Sequence, residues 1–152
     1  MTTMDRRERD VLAHALATLE YRTDVALAGA PGAFMTFRAA PDVRTPEEIL
    51  THMAQLMSMA QSRMHEGASA SRGDVPETDT APPLVQFRER LRSLAIAIEE
   101  DDGLERAAAY KLLQGPILDA ITHAGQLTLM RRLSGSPITT SGYFRAQIDK
   151  SW

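Results

Sequence analysis

The pattern that most restricts this chain is periodic. Apolar side chains return every three or four residues in four separate stretches, while the two-residue alternation of a half-buried strand is almost missing. That rhythm predicts an all-α class. The first stretch runs from about Met4 to Ala28, with Leu12, Leu16, Leu19, Val11 and Ala15 as its inner stripe and Gly29, then Pro31-Gly32, at its end. The second has the plainest start: Thr45 as N-cap, Pro46 at the first helical position, and Glu47-Glu48 in the first turn, where the macrodipole favours negative charge. Glu48 also completes a capping box with Thr45. This helix is expected to carry Ile49, Leu50, Met53, Leu56, Met57, Ala60 and Met64 inward and to end near Gly67.

Residues 67–83, rich in Ala, Ser, Gly, Asp, Thr and Pro, read as a loop. Its Arg72-Gly73-Asp74 has the letters of an adhesion motif, but without a secretion signal it reads as loop composition. The third helix is expected from Pro83 to Glu100, a short one from Leu104 to Leu113, and a last long one opened by Pro116 and closed after Leu133. Short connections predict an antiparallel four-helix bundle, with the short helix as an addition before the last core helix and residues 1–152 as one domain. The tail holds Tyr143-Phe144, an aromatic pair suited to packing over the bundle or a partner subunit.

Composition then removes several function classes. Lys and Arg number 17 against 20 Asp and Glu, for a net charge of −3, so nothing drives sequence-independent nucleic-acid binding. With no cysteine, disulfides, thiolate metal sites and a cysteine nucleophile are all excluded, and any thiol must be exogenous. The charged N-terminus lacks a signal-peptide core, and no apolar run is long enough for a membrane span, so the expected address is the cytoplasm.

The last long helix carries the chemistry. Spaced at about 100° per residue, Ile117, Leu118, Ile121, Ala124, Gly125, Thr128 and Leu129 form one broad side, and Leu127, Met130 and Leu133 extend the apolar character further round. What is left is a polar window of Asp119, Thr122, His123 and Gln126, and from Gly115 to Met130 only Asp119 and His123 are ionisable. Four residues apart, those two share a face and suit joint coordination of one metal ion. His52, at the edge of the second helix's apolar stripe, is the candidate third ligand from a facing helix. Blander explanations stand beside this one: the macrodipole alone accounts for an Asp near a helix N-terminus, and His123 fits a hydrogen-bonded core histidine. His14 and His65 read as solvated, and Met53, Met57, Met59, Met64 and Met130 as core filler.

The run Gly115-Pro116-Ile117-Leu118-Asp119-Ala120-Ile121-Thr122-His123-Ala124-Gly125-Gln126-Leu127, followed by Arg131-Arg132-Leu133-Ser134-Gly135-Ser136-Pro137, resembles the last core helix of DinB/YfiT-like proteins. Thr51-His52-Met53-Ala54-Gln55-Leu56 is similar to the second-helix segment of the same family. The resemblance implies a four-helix bundle, often a homodimer, that holds a divalent metal between one second-helix histidine and an HxxxH pair. His52 and His123 carry over directly; Asp119 stands where the usual pattern has histidine, and its carboxylate remains a competent ligand for zinc, nickel or iron.

By the same resemblance the chain would be a metal-dependent enzyme acting on a small-molecule substrate. The reaction would be that of a transferase or isomerase using a low-molecular-weight thiol, or of a hydrolase, since a bound cation lowers the pKa of a coordinated thiol or water. Thr122 and Gln126 would orient a ligand or the substrate. The contrasting expectation is a non-catalytic helical binding or dimerisation module in which Asp119 and His123 form a buried hydrogen-bonded pair.

Overall fold

Two capping boxes fix where the first two long helices begin. In the computed structural model, which describes residues 2–65, 79–139 and 142–152, α1 spans Arg6–Leu27. The Asp5 carboxylate accepts from the Glu8 amide at 2.9 Å, and the Glu8 carboxylate accepts from the Asp5 amide at 2.8 Å. Thr45 and Glu48 exchange the same pair of bonds at the start of α2, Pro46–Ser62, so the orphan amides of both first turns are met within the chain. Helix α2 stops short of the expected end, and both Gly67 and Arg72-Gly73-Asp74 lie outside the described residues. Helix α3 spans Pro83–Glu100, with Phe87, Leu91, Leu94 and Ile98 fully buried at three- and four-residue intervals.

The segment expected to break at Gln114-Gly115-Pro116 does not break. Helix α4, Arg106–Leu112, passes through one π turn, Leu113–Ile117, straight into α5, Leu118–Leu133. Proline inside a helix lacks an amide donor and collides with the carbonyl four residues earlier, and a wider turn relieves both problems without ending the helix. Asp119 therefore sits well inside a helical run that starts at Arg106, not at a free N-terminus.

Helix α1 packs on α3 and α5, and α2 packs on the same two helices, so the four long helices close a ring around one apolar core. Among the described residues there is no strand, only an isolated bridge between Thr3 and Glu105. No helix is long and apolar enough to cross a membrane. The methionines Met53, Met57, Met64 and Met130 are buried core residues, and His14 is exposed. His65 is also exposed and lies 3.1 Å from the Asp101 carboxylate.

Two expected stripes are corrected. Val11 is 71 % exposed, because Leu12, Leu16 and Leu19 aim α1 at the core and leave their neighbour about 100° away on the outer side. On α5 the inward line is Ile117, Ala120, Ala124, Leu127 and Arg131, while Leu118, Leu129 and Leu133 are about half exposed. A helix apolar on nearly all sides leaves its orientation to close packing, and Ala120 and Ala124 are the small residues that let α5 approach its neighbours.

The ends are tied by polar side chains. Arg131, 3 % exposed, donates to the carbonyls of Ala26, Ala28 and Ser136 and to the Ser136 hydroxyl. It thereby fastens the C-terminus of α5 to that of α1. In the tail, Trp152 donates to Glu99 at 2.8 Å and Lys150 pairs with Asp10 and Glu99. Tyr143 meets Tyr21 edge-on, whereas Phe144 is fully exposed.

Candidate metal centre

Each element delivers its part of the site for an ordinary structural reason. On α2, Met53 and Leu56 bury the core face, which leaves His52 at its margin with 27 % of its side chain exposed. On α5, the buried line through Ala120 and Ala124 turns Asp119 and His123 toward the flank that faces α2. The π turn packs on α2 just ahead of them, so it sets the rotation with which both side chains emerge.

The three groups expected from the sequence meet. Asp119 Oδ2 is 3.7 Å from His52 Nε2, and its Oδ1 is 3.4 Å from His123 Nε2. The two imidazoles stand nearly perpendicular with centroids 4.8 Å apart. One donor atom from each residue can be chosen so that all three lie within 4.8 Å of one another. Ligands about 2.1 Å from a shared ion in tetrahedral array are about 3.4 Å apart, so both carboxylate-to-ring distances suit a common cation. They are longer than a sound N–H···O bond, about 2.7–3.2 Å, and Asp119 is 48 % exposed. The buried hydrogen-bonded pair of the contrasting expectation is therefore not the arrangement seen.

His123 is 7 % exposed and its Nδ1 lies 2.8 Å from Gln126 Oε1. An amide oxygen only accepts, so Nδ1 carries the proton and Nε2 turns its lone pair toward Asp119. Thr122 does not join in, because its hydroxyl donates to the Leu118 carbonyl of its own helix at 3.0 Å. Burial, aided by the positive charges of Arg44 and His123, holds the His52 pKa below the usual imidazole range against the pull of Asp119. At neutral pH His52 thus also offers a lone pair.

A cavity of about 640 Å³ opens beside His52, lined among others by Arg38, Arg44, Thr45, Glu48, Thr51 and Gln55. The Arg38 guanidinium is paired with Glu48 at 3.0 Å. Arg44 has no ion-pair partner among the described residues. Sequence reasoning passed over Arg44, since a lone arginine just before an N-cap carries no signal of its own.

Searches of family models, of curated proteins and of solved structures each return no match to this chain.

Proposed function

We propose that this chain is a divalent-metal-dependent enzyme of the DinB/YfiT-like type, an antiparallel four-helix bundle in which His52, Asp119 and His123 hold the ion. One observation carries the reading: two imidazole nitrogens with free lone pairs and a carboxylate converge from two helices, without hydrogen bonding one another. Three acceptor atoms turned toward one point repel each other unless a cation lies between them. The inward turn at Pro116 favours the same reading, because Asp119 is no longer explained by a helix end.

When bound, a zinc, nickel or iron ion supplies the Lewis acidity that lowers the pKa of a coordinated low-molecular-weight thiol or water. Gln126 fixes the His123 tautomer and ring plane, which sharpens the ligand geometry. Asp119 contributes the negative charge, and His52 stays unprotonated through its partial burial. The cavity beside His52 receives the small-molecule substrate, with Arg44 available to an anionic portion of it. The reaction is transfer or isomerisation with an exogenous thiol, or hydrolysis; the chain has no cysteine of its own to serve as nucleophile. A second copy of the chain is the expected partner, seated on the crest of α5 where Leu118, Leu129 and Leu133 are exposed.

Elemental analysis of protein purified without a histidine tag tests the centre. Wild type is expected to carry close to one equivalent of a first-row divalent metal, and His123→Ala, checked for folding by circular dichroism, to carry almost none. Metal well below one equivalent in wild type, unchanged in the variant, would overturn the proposal. With metal established, thiol-conjugation and ester- or amide-hydrolysis screens assign the reaction.

A further inference from the structure

The opposite flank of α5, facing α1, presents the reverse chemistry. Arg22 from α1, Thr128 and Arg132 from α5, and Tyr143 from the tail line a cavity of about 410 Å³, within the size range of small-molecule sites. No Asp or Glu is among its lining residues. We propose that this cavity is a binding site for a small molecule bearing an oxyanion, either a phosphate or a carboxylate group.

Arginine pairing elsewhere in the fold shows how unusual the pocket is. Arg9, Arg38, Arg88, Arg90, Arg92 and Arg106 each meet a carboxylate at 3.3 Å or less. Neither Arg22 nor Arg132 has one within ion-pair distance among the described residues. The Arg22 Nε is buried and has no hydrogen-bond partner. Its guanidinium lies 4.2 Å over the Tyr143 ring, which Tyr21 holds edge-on at 6.3 Å.

That stack occupies the face of the guanidinium and fixes its plane, which leaves the in-plane donors as the free chemistry. A second guanidinium and the Thr128 side chain stand around the same space. Two like charges beside one half-enclosed cavity repel, and an anion accepting from both forks removes the repulsion while meeting the stranded donor. Gly125 keeps the wall low, since a Cβ there would find nothing within 4 Å.

On a helical wheel at about 100° per residue, Gly125, Thr128 and Arg132 lie roughly half a turn from Asp119, His123 and Gln126. This site is therefore separate from the proposed metal centre and does not depend on it. A single enclosed cavity in a chain of net charge −3 suits a small solute better than a nucleic-acid backbone.

The test is titration of the full chain with inorganic phosphate and, separately, with succinate, at constant ionic strength made up with chloride. Arginine Nε–Hε resonances and thermal midpoint are the readouts. Saturable movement of the Arg22 Nε–Hε signal with a rise in Tm is expected with at least one probe, and the stronger responder identifies phosphate or carboxylate as the recognised group. Arg132→Gln and Arg22→Gln should each weaken that binding about tenfold or more, the loss of a charge-assisted hydrogen bond. Arg7→Gln, an exposed change elsewhere on α1, and His123→Ala should leave it unchanged. Arg132 is exposed and makes no hydrogen bond in the fold, so its variant keeps the test valid if Arg22→Gln fails to fold. No saturable response to either probe, or one that survives Arg132→Gln, would overturn the proposal.

Discussion

The two flanks of α5 are built on one helix yet collect opposite halves of hydrogen-bond chemistry. Toward α2 it gathers acceptors: a carboxylate and two imidazole nitrogens, with donors held away by Gln126. Toward α1 it gathers donors: two guanidiniums and no carboxylate. A helix that is nearly all apolar can hold such poles apart because the buried Ala120 and Ala124 lie between them and exclude water. Position around the cylinder, more than position along the sequence, decides which ion each flank prefers.

The largest expected effect breaks the comparison from both sides. His123→Ala should lower metal affinity by more than about a hundredfold, beyond the loss typical of an outer-shell change, while leaving phosphate or succinate binding intact; Arg132→Gln should do the reverse. Calorimetric titration of both variants with zinc and with the responding anion checks this, and loss of both ligands in either variant would mean that the flanks are one site.

Next in size is the clamp that holds α5 against α1 at its end. Arg131→Met keeps the length of the side chain but strands the Ala26, Ala28 and Ser136 carbonyls. Destabilisation of about 3 kcal/mol and a Tm lower by about 6–12 °C are expected in thermal denaturation. Smaller again is Gln126→Leu, which frees the His123 ring without removing a ligand. Metal affinity should fall about tenfold, read by competition with a chelator, with Tm of the metal-free protein little changed.

The smallest effect is pH dependence. His52 titrates lower in the folded chain than when unfolded. Between its folded pKa and about 6.5 the unfolded chain therefore binds more protons, and stability is lost as pH falls through that window. Thermal melts of metal-free protein at a series of pH values should show this slope, and His52→Gln should flatten it. A slope unchanged in His52→Gln would assign it to another group.

Much of the architecture was readable from residues alone, and for identifiable reasons. Thr45-Pro46-Glu47-Glu48 marked the start of α2 because capping is local chemistry, and the spacing of Phe87, Leu91, Leu94 and Ile98 marked α3 because burial follows period. His52, Asp119 and His123 stood out because so few ionisable groups interrupt α5. The inward face of α5 was not readable, since Leu118, Leu129 and Leu133 are as apolar as the residues that are buried. Neither was the Gly115-Pro116 turn, whose letters spell a break but whose tertiary contacts with α2 keep it helical. Arg22 and Arg132 read as ordinary surface charges because their missing partners are a property of space, not of sequence.

The wide turn at Leu113–Ile117 has a consequence for how this chain can change. A π turn spends one residue more than a regular α turn over the same advance. Excising a single residue there would restore ordinary winding and swivel everything downstream by about 100°. Substitutions around either ion-binding flank leave the rest of α5 in phase, but a one-codon deletion ahead of them would carry both flanks and the core stripe out of register together.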